Sequence, residues 1–501
     1  MKKIILALCL SAVSFHGFAA SSKVADLKQQ NLQTTRQYYA QLIAEPQPYL
    51  AELSMLMTML PKGGDIHHHY SGSIYAETYL DWVGEQGFCV YRENDPAKKQ
   101  EKYRIETNQT SAASSPSCLK ADAIRRDANF YREIMSTWSV VDYDNHIHPQ
   151  VPPDQHFFNT FGYFSPISKY STNQGLKILK QQAKAENQQY LETMLRSAPI
   201  TDHPELSAKI DALSSQASQA ELQQAFTPFA DFLAQDATAQ KRIADYIREA
   251  ERDVAGIDDA EFTLRLQTYV SRNSAPSKVF SSLFAAFSAS NENPLIVGVN
   301  IVGAEHGVVA LRDYKLHMQM FAFLKQRFPK VRLSLHAGEL VLGIAPPEHL
   351  QDHIRSALQI AGAERIGHGV GIMHEASPDQ LLAQLRDRNV PIEINLTSNA
   401  FILGLKERAH PVTMYLRHQV PIVITSDDAG VSRNNLSREY FLFTSRYKPS
   451  YDTLKKTVYN SIRFSFLSAE DKVKQGRELD RRFERFEASA AKLAARAKQK
   501  F

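Results

Sequence analysis

From Phe262 onward the chain alternates short apolar blocks with longer amphipathic stretches. The blocks FTLRLQTYV, PLIVGVNIVG, VRLSLHAGE, RIGHGV, VPIEINL and VPIVITSDD have strand length and carry many β-branched residues. Between most of them lie segments such as LRDYKLHMQMFAFLKQRF and PEHLQDHIRSALQIAG, amphipathic and of helical length. Alternation repeated this often predicts a parallel sheet, because parallel neighbours need a long crossover and a helix supplies one. No Gly-rich phosphate fingerprint of the doubly wound kind accompanies the blocks. The expected fold class is therefore α/β, a closed (β/α)8 TIM barrel.

Upstream of these blocks, GGDIHHHYSG is short and bounded by glycines, and reads as a strand running into a loop. Residues 20–60 read as an N-terminal helical extension broken at Pro46 and Pro48. The barrel is expected over 61–501, with one insertion at about 87–120 and a second, mostly helical and polar, at about 120–256. Helix returns from 451 to the end.

Composition changes little: 43% hydrophobic and 22% charged residues are ordinary for a globular chain. The formal net charge is +4, and Lys2 and Lys3 supply two of those charges. So small a surplus gives no reason to expect a nucleic acid or an anionic membrane as partner. Residues 1–19 read as a Sec-type signal peptide: two lysines, an apolar run from Ile4 to Val13, and small residues near Ala19 and Ala20. The expected location is secreted or periplasmic, with no membrane span in the mature form. Two cysteines then remain, Cys89 and Cys118, flanking a polar segment. An oxidising compartment favours a bridge between them, with two free thiols as the alternative.

The chemistry gathers at the ends of the apolar blocks, which in a barrel form the active-site face. His67 and His69 are two apart on a strand and point to one side. LSLHAGEL brings His336 and Glu339, RIGHGVG brings His368 between glycines, and VITSDDAG brings Asp427 and Asp428. Each alone could be loop polarity. Together they would bury many ionisable groups, which is costly unless a cation or a substrate compensates them. Three histidines and one carboxylate can hold a Zn2+ ion with room for a water, whose pKa the ion lowers to ~7. The inventory fits His67, His69, His336 and Asp427 as ligands, His368 as base and electrostatic partner, and Glu339 as acid, leaving Asp428 to touch substrate.

The ordered segments LPKGGDIHHHYSGS, VGVNIVGAEHG, LHAGE, RIGHGVGI, NLTSN, the HPV at His410, ITSDDAG and YNSIRFSF resemble the signatures of the adenosine deaminase family in the metallo-dependent hydrolase superfamily. Its secreted branch, the adenosine deaminase-related growth factors, is the most similar, with a signal peptide, extra N-terminal helices and a Cys-bridged insertion. The resemblance implies one zinc ion per chain, held by His67, His69, His336 and Asp427. It further implies that Glu339 donates a proton to the purine N1, that His368 orients the attacking hydroxide, that Asp428 bonds N7, and that the Gly303 backbone donates to N3. Two-metal relatives need a lysine at the end of a middle strand, and neither LRLQTYV nor PLIVGVNIVG ends in one.

One departure from the family pattern bears on substrate. Where members commonly place an acid just after the paired histidines, to contact the ribose, this chain has Tyr70, Ser71 and Gly72. Ser71 can still offer a hydroxyl to the sugar, without the charge-assisted bond. The expected reaction is deamination of adenosine or deoxyadenosine to inosine or deoxyinosine and ammonia outside the cytoplasm. The alternatives are another 6-aminopurine, such as adenine or a modified nucleoside, and a non-catalytic binding or signalling protein on the same scaffold. The expected partner is a small purine nucleoside. The resemblance to the secreted branch implies a homodimer interface on the helical extension, with a lid or a packing layer as the alternatives.

Overall fold

Eight parallel strands run around a barrel: β1 (Gly63–His69), β2 (Gln188–Ser197), β3 (Thr263–Ser271), β4 (Ile296–Val302), β5 (Ser334–Ala337), β6 (Arg365–His368), β7 (Ile392–Ile394) and β8 (Ile422–Ile424). β1 to β4 pair in sequence, as do β5 to β8. A parallel bridge between Val299 and Leu333 joins the two halves on one side. On the other, His68 bridges Asp427: Asp427 N–H donates to the His67 carbonyl at 3.0 Å and His69 N–H to the Asp427 carbonyl at 3.2 Å. The closure therefore falls on the residues whose side chains carry the chemistry. The computed structural model describes residues 25–498 except 45, 47, 97–99, 109, 111–114 and 146–149. The leader expected over 1–19 lies outside them.

One expectation changes. The stretch 120–256 is not an insertion outside the barrel, because it contains β2. That strand is buried along most of its length although Gln188, Gln189, Glu192 and Thr193 are polar. Their partners explain this. Glu192 bonds Arg365 Nη2 at 2.7 Å, accepts from Phe466 N–H at 2.6 Å, and takes the Tyr190 hydroxyl at 2.8 Å. Arg365 in turn meets Glu393 through Nε at 2.6 Å and lies 3.8 Å over the Phe466 ring. Buried charges persist when each is paired and hydrogen-bonded in this way.

Helices cover the barrel. Residues 25–42 are helical and, with Leu50–Met59, pack toward the C-terminal helices: Thr35 Oγ1 donates to the Glu487 carbonyl and Tyr39 Oη to the Pro449 carbonyl, at 3.1 and 3.0 Å. Among the described residues no helix is long and apolar enough to cross a membrane.

The first insertion is a small antiparallel sheet in which Cys89–Tyr91 lies between Ile105–Glu106 and Cys118–Leu119. Cys89 and Cys118 form a disulfide across a sequence separation of 29. A covalent loop of that length stabilises by ~3 kcal/mol, by restricting the unfolded chain. Reduction, or Cys118→Ser, should thus loosen this sheet before the barrel, with limited proteolysis cutting first within 92–117. Cleavage at the same rate with and without the bridge would contradict that account.

Candidate active site

The site is built where the strands end. β1 presents His67 and His69 inward, while His68 turns outward and bonds Thr193 Oγ1 through Nδ1 at 2.9 Å. His336 ends β5 one residue before its last position, His368 closes β6, and Asp427 follows β8. Two of these residues, His368 and Asp427, sit in the left-handed backbone region with φ of 66° and 60°. That conformation costs non-glycine residues of order 1–3 kcal/mol and is held by the surrounding fold. It turns an imidazole and a carboxylate toward the same point. Two glycines keep that point clear: a Cβ on Gly72 would lie 1.6 Å from Asp428 Oδ1, and one on Gly367 would lie 2.8 Å from the His67 ring.

The donor atoms converge. His69 Nε2 lies 3.2 Å from His336 Nε2 and 3.4 Å from Asp427 Oδ1, and His67 Nε2 lies 3.5 Å from the same oxygen. A tetrahedral ion with ligands at 2.0–2.1 Å needs donor separations of roughly 3.3 Å. His368 faces the same point, with Nε2 4.0 Å from Asp427 Oδ2, and with His67, His336 and Asp427 it offers donor atoms all within 4.8 Å of one another. His67 Nε2 is buried and has no hydrogen-bond partner, whereas its Nδ1 is held by Glu393 at 2.7 Å. His336 Nδ1 is likewise held by Asn300 Oδ1 at 2.9 Å. Partners of this kind fix the tautomer that leaves Nε2 as a free lone pair. Charge agrees with shape. Burial disfavours a proton on His67, yet Asp427 and Glu393 overcome it and raise the imidazole to about 10, so the position favours a cation. The residues present fit a divalent metal.

Beside this cluster a cavity of about 220 Å³ is lined by Glu339, Asp428, Gly303 and Ser71 together with His69, His336, His368 and Asp427, while His67 lies buried behind them. Every site residue expected from the sequence is therefore brought to one place, apart from the two cysteines, which form the disulfide of the insertion. Burial, and then the charges of Asp427 and Glu305, push the Glu339 carboxyl well above the usual range. Burial and the neighbouring Asp427 do the same to Asp428, whose Oδ1 has no partner. Asp427 itself is held low, against burial, by the imidazoles around it.

Several residues that position these groups carried no role in the sequence. Glu305 accepts from the backbone N–H of Gly338 and Glu339, at 2.9 and 2.8 Å, and so fixes the loop that carries the acid. Burial would raise it, but Arg272 and His353 hold it at about 2. His353 Nδ1 bonds it at 2.6 Å and stacks on Tyr314. His410, noticed only within HPV, donates through Nε2 to Asn399 Oδ1 at 3.1 Å, and Asn399 Nδ2 donates to His368 Nδ1 at 2.9 Å. That chain leaves the His368 proton on Nε2, facing the cluster. Burial lowers His368 to about 3, keeping the ring neutral. The outer wall is aromatic: Phe157, Phe158 and Phe161 enter from the helix Pro153–Ser168, where FFNTF already spaced them at one helical face.

Comparison with known proteins gives the family and the fold. The family model described as adenosine deaminase matches residues 213–481, which takes in β3 to β8 and leaves out the paired histidines of β1. The adenosine deaminase of Haemophilus ducreyi is 33% identical over 178 residues, 35% of this chain and 46% of that protein. That of Clostridium kluyveri is 28% identical over 177 residues, with the same coverage of 35% and 46%. The chain thus matches about half the length of these curated relatives. Among solved structures, the adenine deaminase of Arthrobacter aurescens superposes with a TM-score of 0.52 at 16% identity, over 84% of this chain and 98% of that one. The N6-methyl-AMP deaminase of Arabidopsis thaliana gives 0.55 at 16% identity, over 85% and 98%. At such identity these two speak for the barrel fold.

Proposed function

Since the chain belongs to the adenosine deaminase family, we propose that it removes the 6-amino group of a purine nucleoside by hydrolysis, adenosine or deoxyadenosine giving inosine or deoxyinosine and ammonia, and that it does so outside the cytoplasm. The observation that carries the reading is the meeting of His67, His69, His336 and Asp427 next to a cavity that Glu339, His368 and Asp428 line. The first four would hold a divalent ion, zinc by the chemistry of three imidazoles and a carboxylate. Such an ion acts as a Lewis acid that brings the pKa of a water to ~7.

The chain's own groups do the rest. Glu339, kept protonated by its surroundings, donates to the ring nitrogen N1 as the attacking oxygen adds at C6, and this draws electrons out of the ring. His368, with its Nε2 proton fixed by the Asn399–His410 chain, aligns the incoming water by hydrogen bonding. Asp428, itself protonated, donates to N7, and the Gly303 backbone offers a donor to N3. Phe157, Phe158 and Phe161 exclude water and give the purine an apolar wall. Export follows from the expected leader, and the Cys89–Cys118 bridge supports it.

The test is a panel. Protein purified with one equivalent of zinc is offered adenosine, deoxyadenosine, adenine and cytidine, and ammonia release is followed alongside the fall in adenosine absorbance. Turnover confined to the 6-aminopurines is expected. Failure to release ammonia from any 6-aminopurine, in zinc-loaded and folded protein, refutes the reading.

A further inference from the structure

The cavity at the metal-binding cluster adjoins a second space. Ser71, Phe161 and Tyr269 line both the inner cavity of about 220 Å³ and an outer chamber of about 810 Å³. The inner cavity alone is smaller than the roughly 300–1,000 Å³ usual for small-molecule sites. Ser71 stands where the two spaces meet, so a nucleoside with its purine among Glu339, Gly303 and Asp428 and its sugar at Ser71 would turn its 5′ substituent toward the outer chamber. The three shared residues bear no charge.

The charges on the chamber walls do not cancel. Arg196, at the end of β2, is held by Glu249 at 2.9 Å and by Asp253. Asp245 is taken up by Lys241 at 2.7 Å and by Arg248. Lys169 and Arg242 also line the chamber, and among the described residues no carboxylate forms an ion pair with either. Arg242 donates to the Ile200 carbonyl instead. Beside these two cations the same walls carry the hydroxyls of Ser165, Ser168 and Ser197. A guanidinium fork, an ammonium and several hydroxyls are the partners that a tetrahedral oxyanion with three terminal oxygens requires.

We propose that the outer chamber is a phosphate subsite, and that the preferred substrate is the 5′-monophosphate of the 6-aminopurine nucleoside. The inference rests on the deaminase reading of the inner cavity, and it adds to that reading the group that fills the outer one. The covalent chemistry at C6 is unchanged: the water oxygen bonds C6, the bond from C6 to the amino nitrogen breaks, and that nitrogen leaves as ammonia. The phosphate is held and not transferred.

Two measurements separate this proposal from the reading beneath it. In the first, kcat/KM is compared for adenosine 5′-monophosphate and adenosine, in the native enzyme and in the Lys169→Ala, Arg242→Ala double variant. The monophosphate should be favoured at least tenfold, and the double variant should bring the ratio close to one. The preference should also shrink as ionic strength rises, because both cations are solvent-exposed. In the second, inosine 5′-monophosphate and inosine are titrated calorimetrically into the Glu339→Gln protein, with and without the two further substitutions. Tighter binding of the phosphorylated product, lost with Lys169 and Arg242, supports the subsite even in protein that turns nothing over. Adenosine turned over as well as or better than its monophosphate overturns the proposal and leaves the deaminase standing. If neither compound is deaminated the deaminase reading falls, and equal binding of the two products then overturns the subsite as well.

Discussion

Glu339→Gln is expected to lower kcat about 10³-fold while product binding survives. The substitution keeps size and hydrogen bonding but removes the one proton that the side chain can give up. General acid catalysis is worth about 10²–10⁴-fold, and here the acid is set up for it by the fold. Burial and the charges of Asp427 and Glu305 favour the protonated carboxyl. The two N–H bonds from Gly338 and Glu339 to Glu305 hold its backbone in place. Because the pKa is raised, activity that depends on the proton is present below that pKa and lost as pH rises through it. The native enzyme should therefore show an alkaline limb in kcat that the Gln variant lacks. The measurements are steady-state kinetics across pH and calorimetric binding of inosine. A variant retaining more than a tenth of native kcat would remove Glu339 from the acid role.

How much of this was legible depends on where each residue finds its partner. β3 to β8 were readable because strands covered by helices become short apolar runs, and the histidines and aspartates that interrupt them stand at the strand ends. β1 was readable because a period of two put His67 and His69 on one face. β2 was not. Its buried Gln189 and Glu192 pair with Gln475, Phe466 and Arg365, far along the chain, and a strand whose polar residues are satisfied internally has the surface texture of a helix. The same distance hid Glu305, whose partners are Arg272, just past β3, and His353, at the start of a later helix, and it hid the link from His410 through Asn399 to His368. The catalytic groups announce themselves by type and spacing. The groups that orient them are ordinary polar residues whose roles appear only when the barrel closes. Phe157, Phe158 and Phe161 are intermediate: the sequence spaces them along one helical face, but only the fold says which surface that face meets.

Removing divalent metal with a chelator should abolish turnover altogether, and zinc at one equivalent should restore it. The argument starts from what the cluster costs without an ion. His67, His69 and His336 are brought within a few ångströms of one another and of Asp427, and burial is the first reason why His69 is lowered to about 4 and His336 well below its ordinary value. The neutral rings of His69 and His336 turn lone pairs toward the same point, and the buried Nε2 of His67 has no hydrogen-bond partner. Leaving a buried polar atom unpaired costs about 1–3 kcal/mol, so the fold should gain stability when a cation fills the position. Because the unfolded chain lacks the assembled site, ligand binding to the folded state adds RT ln(1 + [M]/Kd), about 4 kcal/mol at a thousandfold excess over Kd. The chelated protein should accordingly melt at lower temperature than the zinc-loaded one, with the difference erased in Asp427→Ala, which deletes one donor. Metal analysis, calorimetry and activity are read on the same samples. Full activity in protein stripped of metal, or a melting temperature indifferent to zinc, would mean that the four side chains converge for some reason other than to hold an ion, and the hydrolytic reading would lose its source of activated water.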